Sequence, residues 1–268
     1  MKHAVSNIAW PVADDEAGYA MLEAAGVTHL EIAPPRWWPD LTQVTEVEAR
    51  RATDQLLRRG FRICAFQALL FGKPALHVFG ADDGRACLEY LEKICQLAAW
   101  MGAKSLVFGA PKNRLRGHLS TDDAFVKGRD FFRALGDVAV QNGVVVCIEP
   151  NPAIYGCDFL QTAAEATAMV QAVGSPGIRL NLDMGELIAN NSDVTRTIRE
   201  CLAHAGHFHA SEPMLEPLDP AQKAHTEAAA ALKEAGYTGF VSLEMKTPQG
   251  GLPVVARAVQ SLMQIYRA

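Results

Sequence analysis

Short apolar runs alternate with longer amphipathic stretches from one end of the chain to the other. The apolar runs fall at residues 4–10, 28–33, 61–67, 104–109, 144–149, 178–183, 206–211 and 239–245. They are rich in Val, Ile, Leu and Phe, as parallel strands buried on both faces should be. The stretches between them carry helix punctuation. Ser120 with Asp123 resembles a capping box and opens a helix that stops at Gly143. Asp219 and Pro220 open another that ends at Gly236. Gly26, Gly60, Gly102, Gly143, Gly177 and Gly206 each stand just before or at the start of an apolar run, which predicts a helix C′ glycine leading into a strand. The unit repeats eight times with no linker, low-complexity tract or shift in composition. Such alternation predicts an α/β protein with a parallel sheet, and eight units favour closure into a single (β/α)8 TIM barrel spanning residues 1–268. The competing architecture, a doubly wound open sheet, normally carries a phosphate loop after an early strand. Neither G-x-G-x-x-G nor G-x-x-x-x-G-K-[ST] occurs.

Composition narrows the setting. A chain of 268 residues, 49% hydrophobic and 21% charged, can bury a large core. Its net charge of −5, without a basic stripe, speaks against a nucleic-acid partner. No stretch approaches the length of a membrane span, and the N-terminal residues show no apolar leader core. The six cysteines form no C-x-x-C pair; Cys64 and Cys147 lie inside apolar runs, so buried free thiols and a cytoplasmic setting are expected.

In a barrel, function collects at the C-terminal ends of the strands. The fifth run ends at Glu149 and the sixth at Asp183; the seventh presents His209 and the eighth carries Glu244. Neighbouring strands lie about 4.8 Å apart, so inward side chains at one level can converge. Three carboxylates that close repel one another unless one is protonated or a cation is present. Three oxygen donors and one imidazole suit one divalent metal ion, Mn²⁺, Mg²⁺, Co²⁺ or Zn²⁺. One step deeper, period two predicts Cys147, Asn181, His207 and Ser242 on the same inward face, either orienting the ligands or filling the barrel.

Further candidates surround the mouth. Glu31 and Gln67 end the second and third runs. After the fourth run, Lys112, Asn113, Arg114 and Arg116 form a basic cluster able to hold a phosphate or carboxylate, or simply to be solvated. Asn151 and Tyr155 follow Glu149 and can line the site. Trp37 and Trp38 suit a sugar stack, a packed loop or a contact in a homo-oligomer.

The segments CIEPN at Glu149, NLDMGE at Asp183, HFHAS at His209 and SLEM at Glu244 resemble the xylose isomerase-like TIM-barrel superfamily. That superfamily contains sugar-phosphate isomerase/epimerase-like proteins, ketose 3-epimerases, keto-inositol isomerases and dehydratases, and endonuclease IV. The resemblance implies that Glu149, Asp183, His209 and Glu244 bind one metal. It also implies that Glu149 and Glu244 act as acid and base on opposite faces of a small carbohydrate-like substrate, through a metal-stabilised enediolate. The chain departs from the ketose 3-epimerase pattern at three places. Glu186 stands where those enzymes have a His, Tyr155 where they have a Glu, and Glu212 and Pro213 follow His209 with no Arg. The reading is a metal-dependent isomerase or epimerase of a sugar, sugar phosphate or keto-polyol, with Glu31, Gln67, Lys112, Arg114, Asn151, Tyr155, Glu186, Glu212 and His225 as substrate-contact candidates. A lyase or dehydratase is the alternative, with Glu186 or His225 as general acid. An endonuclease IV-like activity is less favoured, because the third and fourth runs end in Gln67 and Gly109 and supply no extra His ligands.

Overall fold

The computed structural model describes residues 1–267. Eight parallel strands close into a barrel in sequential order, β1 pairing with β8. The strands are β1 (Lys2–Ser6), β2 (His29–Ile32), β3 (Arg62–Phe66), β4 (Ser105–Phe108), β5 (Val145–Ile148), β6 (Ile178–Asp183), β7 (Ala205–Ser211) and β8 (Phe240–Glu244). The helices around them are α1 (Asp15–Ala24), α2 (Glu46–Arg58), α3 (Arg85–Met101), α4 (Thr121–Gln141), α5 (Ala163–Val173), α6 (Met184–Ala189), α7 (Val194–Cys201), α8 (Lys223–Glu234) and α9 (Leu252–Ile265). The (β/α)8 barrel expected from the alternation is the fold. Its apolar core fills the layer between sheet and helices, with Leu22, Leu30, Phe66, Phe108 and Phe132 fully buried. A small cluster of Ala4, Cys64 and Ala65 is separate from it. All six cysteines are buried and free. Among the described residues no helix is long and apolar enough to cross a membrane.

Several local expectations are corrected. The first strand ends at Ser6, not at residue 10, because Ser6 Oγ accepts from the Ile8 amide and Asn7 Oδ1 accepts from the Ala33 amide at 2.9 Å. These side chains divert the backbone into a 3-10 turn over Asn7–Ala9. Asp219 does not open α8. Its carboxylate accepts from the Ala221 amide, closing a separate turn, and the helix starts at Lys223. Ser120 does cap α4, accepting from the Asp123 amide at 3.0 Å.

Gly177 and Gly206 are not helix caps. Gly174, in the left-handed conformation, ends α5. A Cβ on Gly177 would lie directly on the Gly136 carbonyl of α4, and one on Gly206 would lie 2.8 Å from Cys147 Sγ. Both glycines are there for close approach, α4 against the strand entry and β7 against β5. Gly177→Ala is therefore expected to destabilise the protein by about 1–3 kcal/mol, as overpacking does. A thermal midpoint equal to that of the parent would remove this account.

The four strand ends do not share one level. His209 stands opposite Asp183, whereas Glu244 stands opposite Ser211, and Ser242 is the partner of His209. The β6–β7 register also shifts between Leu180 and Asn181. Barrel closure requires tilted, staggered strands, so ends that look aligned in the sequence are offset in space.

Candidate metal centre

The stagger still brings Glu149, Asp183, His209 and Glu244 together. One ligand-type atom from each lies within 4.8 Å of the others, and all four residues are buried. His209 Nδ1 is the hub, 3.0 Å from Glu149 Oε1, 3.2 Å from Glu244 Oε2 and 4.0 Å from Asp183 Oδ2.

Local structure explains why each carboxylate points there. Glu149 follows β5 and is held by two amides: Asn181 Nδ2 donates to Oε1 at 2.8 Å and Asn151 Nδ2 to Oε2 at 3.2 Å. A Cβ at residue 109 would fall on the Glu149 carboxylate, so the glycine after β4 makes room for it. Asp183 ends β6 and caps α6. Its Oδ1 accepts from the Glu186 amide at 3.1 Å and from Ser211 Oγ at 2.5 Å, leaving Oδ2 toward His209. Ser211 Oγ in turn accepts from the Gly185 amide at 2.9 Å.

His209 is oriented from beneath. Its Nε2 lies 3.0 Å from Glu31 Oε1 and 3.2 Å from Oε2, and His207 Nε2 lies 3.1 Å from Glu31 Oε2. An ionised carboxylate only accepts, so both imidazoles donate through Nε2. Nδ1 of His209 is then left facing three carboxylates and makes no aligned hydrogen bond. With the ring neutral, a lone pair in that position repels the carboxylates unless a cation stands between them, and without a metal a proton on Nδ1 meets the same need. The donor set therefore fits a divalent metal, with oxygens and one imidazole nitrogen as ligands. Glu31, His207 and His209 also form a compact ligand-type group of their own, but its atoms are already joined by hydrogen bonds.

The electrostatics carry the same strain. Burial pushes the Asp183 and Glu244 carboxyls above the ordinary carboxylate range, and the Glu149 charge adds to it. Burial acts on Glu149 too, but the charge of the His209 ring and the hydrogen bond from Asn151 hold it below its usual value. Burial likewise opposes ionisation of Glu31, yet His209 and His207 keep its carboxyl low. His209 is raised well above an ordinary imidazole despite burial, by Glu31, Glu244 and Glu149.

The structure sorts the other sequence candidates by position. A cavity of about 940 Å³ opens above the centre and is lined by Glu149, Glu244, Gln67 and Lys112, among others. Asn151 is buried against Glu149. The Tyr155 hydroxyl accepts from the Met214 amide at 2.9 Å, tying the loop after β5 to the loop after β7. Others do not face the mouth as expected. Glu31 lies inside the barrel under His209, fully buried. Arg114 is also fully buried, donating through Nη2 to the Glu149 carbonyl and to Asn151 Oδ1. Glu186 turns away along α6 to accept from Asn190, and burial, reinforced by Asp183, raises its carboxyl to about 8. Glu212 and His225 meet at 3.1 Å, and His225 Nδ1 meets Tyr266 Oη at 2.7 Å, in a buried chain that anchors the loop after β7 to the residue that follows α9. Trp37 and Trp38 pack half-buried against the core and line a groove with residues of α1 and α2, away from the cavity above the centre.

Sequence reasoning missed the parts played by Ser211 and Gly109. Ser211 was within reach, because it shares the inward face of β7 with His209. Gly109 reads only as a strand end, and the room it leaves for Glu149 shows in three dimensions alone.

Glu31→Gln is expected to weaken divalent-metal affinity by roughly 10–100-fold, the usual effect of losing the partner of a ligating His. Titration of metal-stripped protein measures it, and unchanged affinity would free Glu31 from an orienting role.

Comparison with known proteins agrees with this fold. A human protein named "Putative hydroxypyruvate isomerase" is 25% identical over 262 residues, covering 91% of this chain and 89% of that one. A D-psicose 3-epimerase solved in the presence of D-fructose superposes over 100% of both chains with a TM-score of 0.83 at 16% identity. The IolI protein, solved with a bound zinc atom, superposes with a TM-score of 0.75 at 17% identity, covering 99% of this chain and 98% of that one. Residues 19–265, nearly the whole barrel, match one family description, and the chain belongs to that family, the xylose isomerase-like TIM barrels.

Proposed function

We propose that the protein is a divalent-metal-dependent isomerase or epimerase acting on an α-hydroxycarbonyl compound of the sugar class, whether a sugar, a sugar phosphate or a keto-polyol. The observation that carries this reading is the pair Glu149 and Glu244. They arise on strands three places apart, flank His209 Nδ1 at 3.0 and 3.2 Å, and line the same cavity. A substrate held between them meets one carboxylate on each side. Glu149, Asp183, His209 and Glu244 would hold the cation, with Mn²⁺, Mg²⁺, Co²⁺ and Zn²⁺ all compatible with the donors. When bound, a divalent cation supplies Lewis-acid stabilisation of negative charge on a substrate oxygen, worth several kcal/mol.

The chain's own groups do the rest. One of the two glutamates takes the proton from carbon α to the carbonyl, giving an enediolate, and a proton returns to the neighbouring carbon or to the opposite face. Asn181 and Asn151 fix the Glu149 carboxylate by its two oxygens, so its direction is set before substrate arrives. The names of the human relative and of the D-psicose 3-epimerase support this reaction class, and the IolI protein, solved with a zinc atom, supports a bound metal. Elimination would need a further proton donor at the mouth. The two candidates, Glu186 and His225, are sealed from the cavity, which favours isomerisation.

Incubation of the metal-loaded protein with a panel of keto sugars in deuterated water tests the proposal. Solvent deuterium at the carbon next to the carbonyl of an isomeric product is expected. Loss of water from the substrate would point to the lyase, and no exchange with any compound would overturn the reading.

A further inference from the structure

Arg114 is a fully buried cation whose hydrogen bonds, among the described residues, reach no carboxylate. Its Nη2 donates to the Glu149 carbonyl at 2.7 Å and to Asn151 Oδ1 at 3.0 Å, and Nε and Nη1 make no hydrogen bond to the protein. Taking a guanidinium out of water is costly, and two neutral carbonyl oxygens offset less of that cost than a carboxylate would. Stability therefore gives no reason for a cation at this position. Arg114 also does not line the cavity, so a role in the site has to pass through another residue.

That residue is Asn151. The two oxygens of Glu149 are held by amides of unequal footing. Asn181, which holds Oε1, stands on β6 and is fixed by the strand. Asn151, which holds Oε2, stands on the loop after β5. Its backbone amide donates to the Leu160 carbonyl at 3.1 Å, so the freedom left to it is the turn of its side-chain amide. Arg114 sets that turn. With Oδ1 held by the guanidinium, Nδ2 faces Glu149 Oε2 at 3.2 Å and the Pro150 carbonyl at 3.2 Å. The opposite turn would set an acceptor against the Glu149 carboxylate and a donor against a cation.

The guanidinium is itself anchored. Arg114 ends a 3-10 turn over Pro111–Arg114 that the preceding residue ties to the loop after β3. Asn113 Nδ2 donates to the carbonyls of Lys73 at 2.8 Å and Leu76 at 2.7 Å, and the Asn113 carbonyl accepts from the Val78 amide at 2.8 Å. A fixed turn, a planar cation and an oriented amide thus lead in series to one oxygen of Glu149.

We infer that Arg114 is a positioning residue for Glu149, acting through the Asn151 amide to hold the carboxylate in the direction that ligation and proton transfer both require. This rests on the metal and proton-transfer reading of the same site. It adds a residue that touches neither cation nor substrate and gives a buried, uncompensated charge its reason.

A double-variant cycle on the full-length protein tests it, with Arg114→Met, Asn151→Ala and the two together. Metal-stripped preparations are titrated with Mn²⁺, and the free ion is followed by electron paramagnetic resonance. Each single variant should bind Mn²⁺ at least roughly tenfold more weakly than the parent, the effect of losing support around a ligand. The pair should bind no more weakly than the weaker single variant, because both substitutions break one series of contacts. Two independent structural roles would instead let the losses multiply. Should Arg114→Met not fold, Arg114→Lys stands in under the same criteria; an ammonium keeps the charge but not the planar fork, and a loss of at least roughly threefold is expected. The second readout is turnover of D-psicose and hydroxypyruvate at full metal loading. For a compound the parent converts, Arg114→Met should lower kcat by roughly 10–100-fold and leave KM within about threefold. Losses that multiply in the pair, Mn²⁺ affinity equal to that of the parent, or a raised KM at unchanged kcat would each overturn the inference. No conversion of either compound by the parent would count against the proton-transfer reading alone, and the Mn²⁺ cycle would still decide the role of Arg114.

Discussion

Glu244→Gln is expected to lower turnover by roughly 10²–10⁴-fold, the range supplied by a positioned acid or base. The substitution keeps the shape of the side chain and an oxygen that can still face His209, but it removes the group that exchanges a proton. Glu244 lies on the last strand with its carboxylate 3.2 Å from His209 Nδ1, and its neighbours Leu243 and Met245 are fully buried in the barrel wall. The fold should therefore persist, which near-ultraviolet circular dichroism and the thermal midpoint would show. Because Glu244 is also a proposed ligand, metal content must be measured on the same preparation. Loss of activity with metal retained assigns proton transfer to Glu244; loss of both assigns it to ligation. Full activity would take Glu244 out of the mechanism.

Stripping divalent cations with a chelator should abolish turnover and lower the thermal midpoint together. Without a cation, Glu149, Asp183 and Glu244 crowd one buried imidazole, and burial already drives two of the three toward the neutral form. A cation present at about a thousand times its dissociation constant stabilises the folded state by about 4 kcal/mol. In a chain of this length that corresponds to a shift of roughly 8–16 °C. Readdition of Mn²⁺, Mg²⁺, Co²⁺ and Zn²⁺ in turn should restore both properties to different degrees and rank the ions. A midpoint and an activity unaffected by chelation and by readdition would dissociate these four residues from metal binding.

The barrel was legible in the chain because its signal is local. Each strand is a short apolar run and each helix carries its own cap or stop, so eight repeats can be counted without knowing how they meet. The four proposed ligands were legible for a related reason: strand ends are where apolar runs give way to Glu149, Asp183, His209 and Glu244. Errors came wherever side chains redirect the backbone or distant segments touch. Ser6 and Asn7 shortened β1, the Asp219 turn delayed α8, and Gly177 proved to be a packing contact with α4.

The mouth was the least legible part. Arg114 reads as a basic loop residue, yet it is buried beneath Glu149. Glu31 reads as a strand end facing substrate, yet it lies under His209 and sets the direction of that ring. The sequence by itself determined the repeating unit, the number of units and which residues stand at the strand ends. Those depend on residues a few positions apart. Tertiary structure alone decided the stagger that offsets Glu244 from His209, the partners of Glu31 and Arg114, and which charges share the cavity, because barrel closure brings together residues 35 positions apart, as Arg114 and Glu149, or 178 apart, as Glu31 and His209, and nothing local records those meetings.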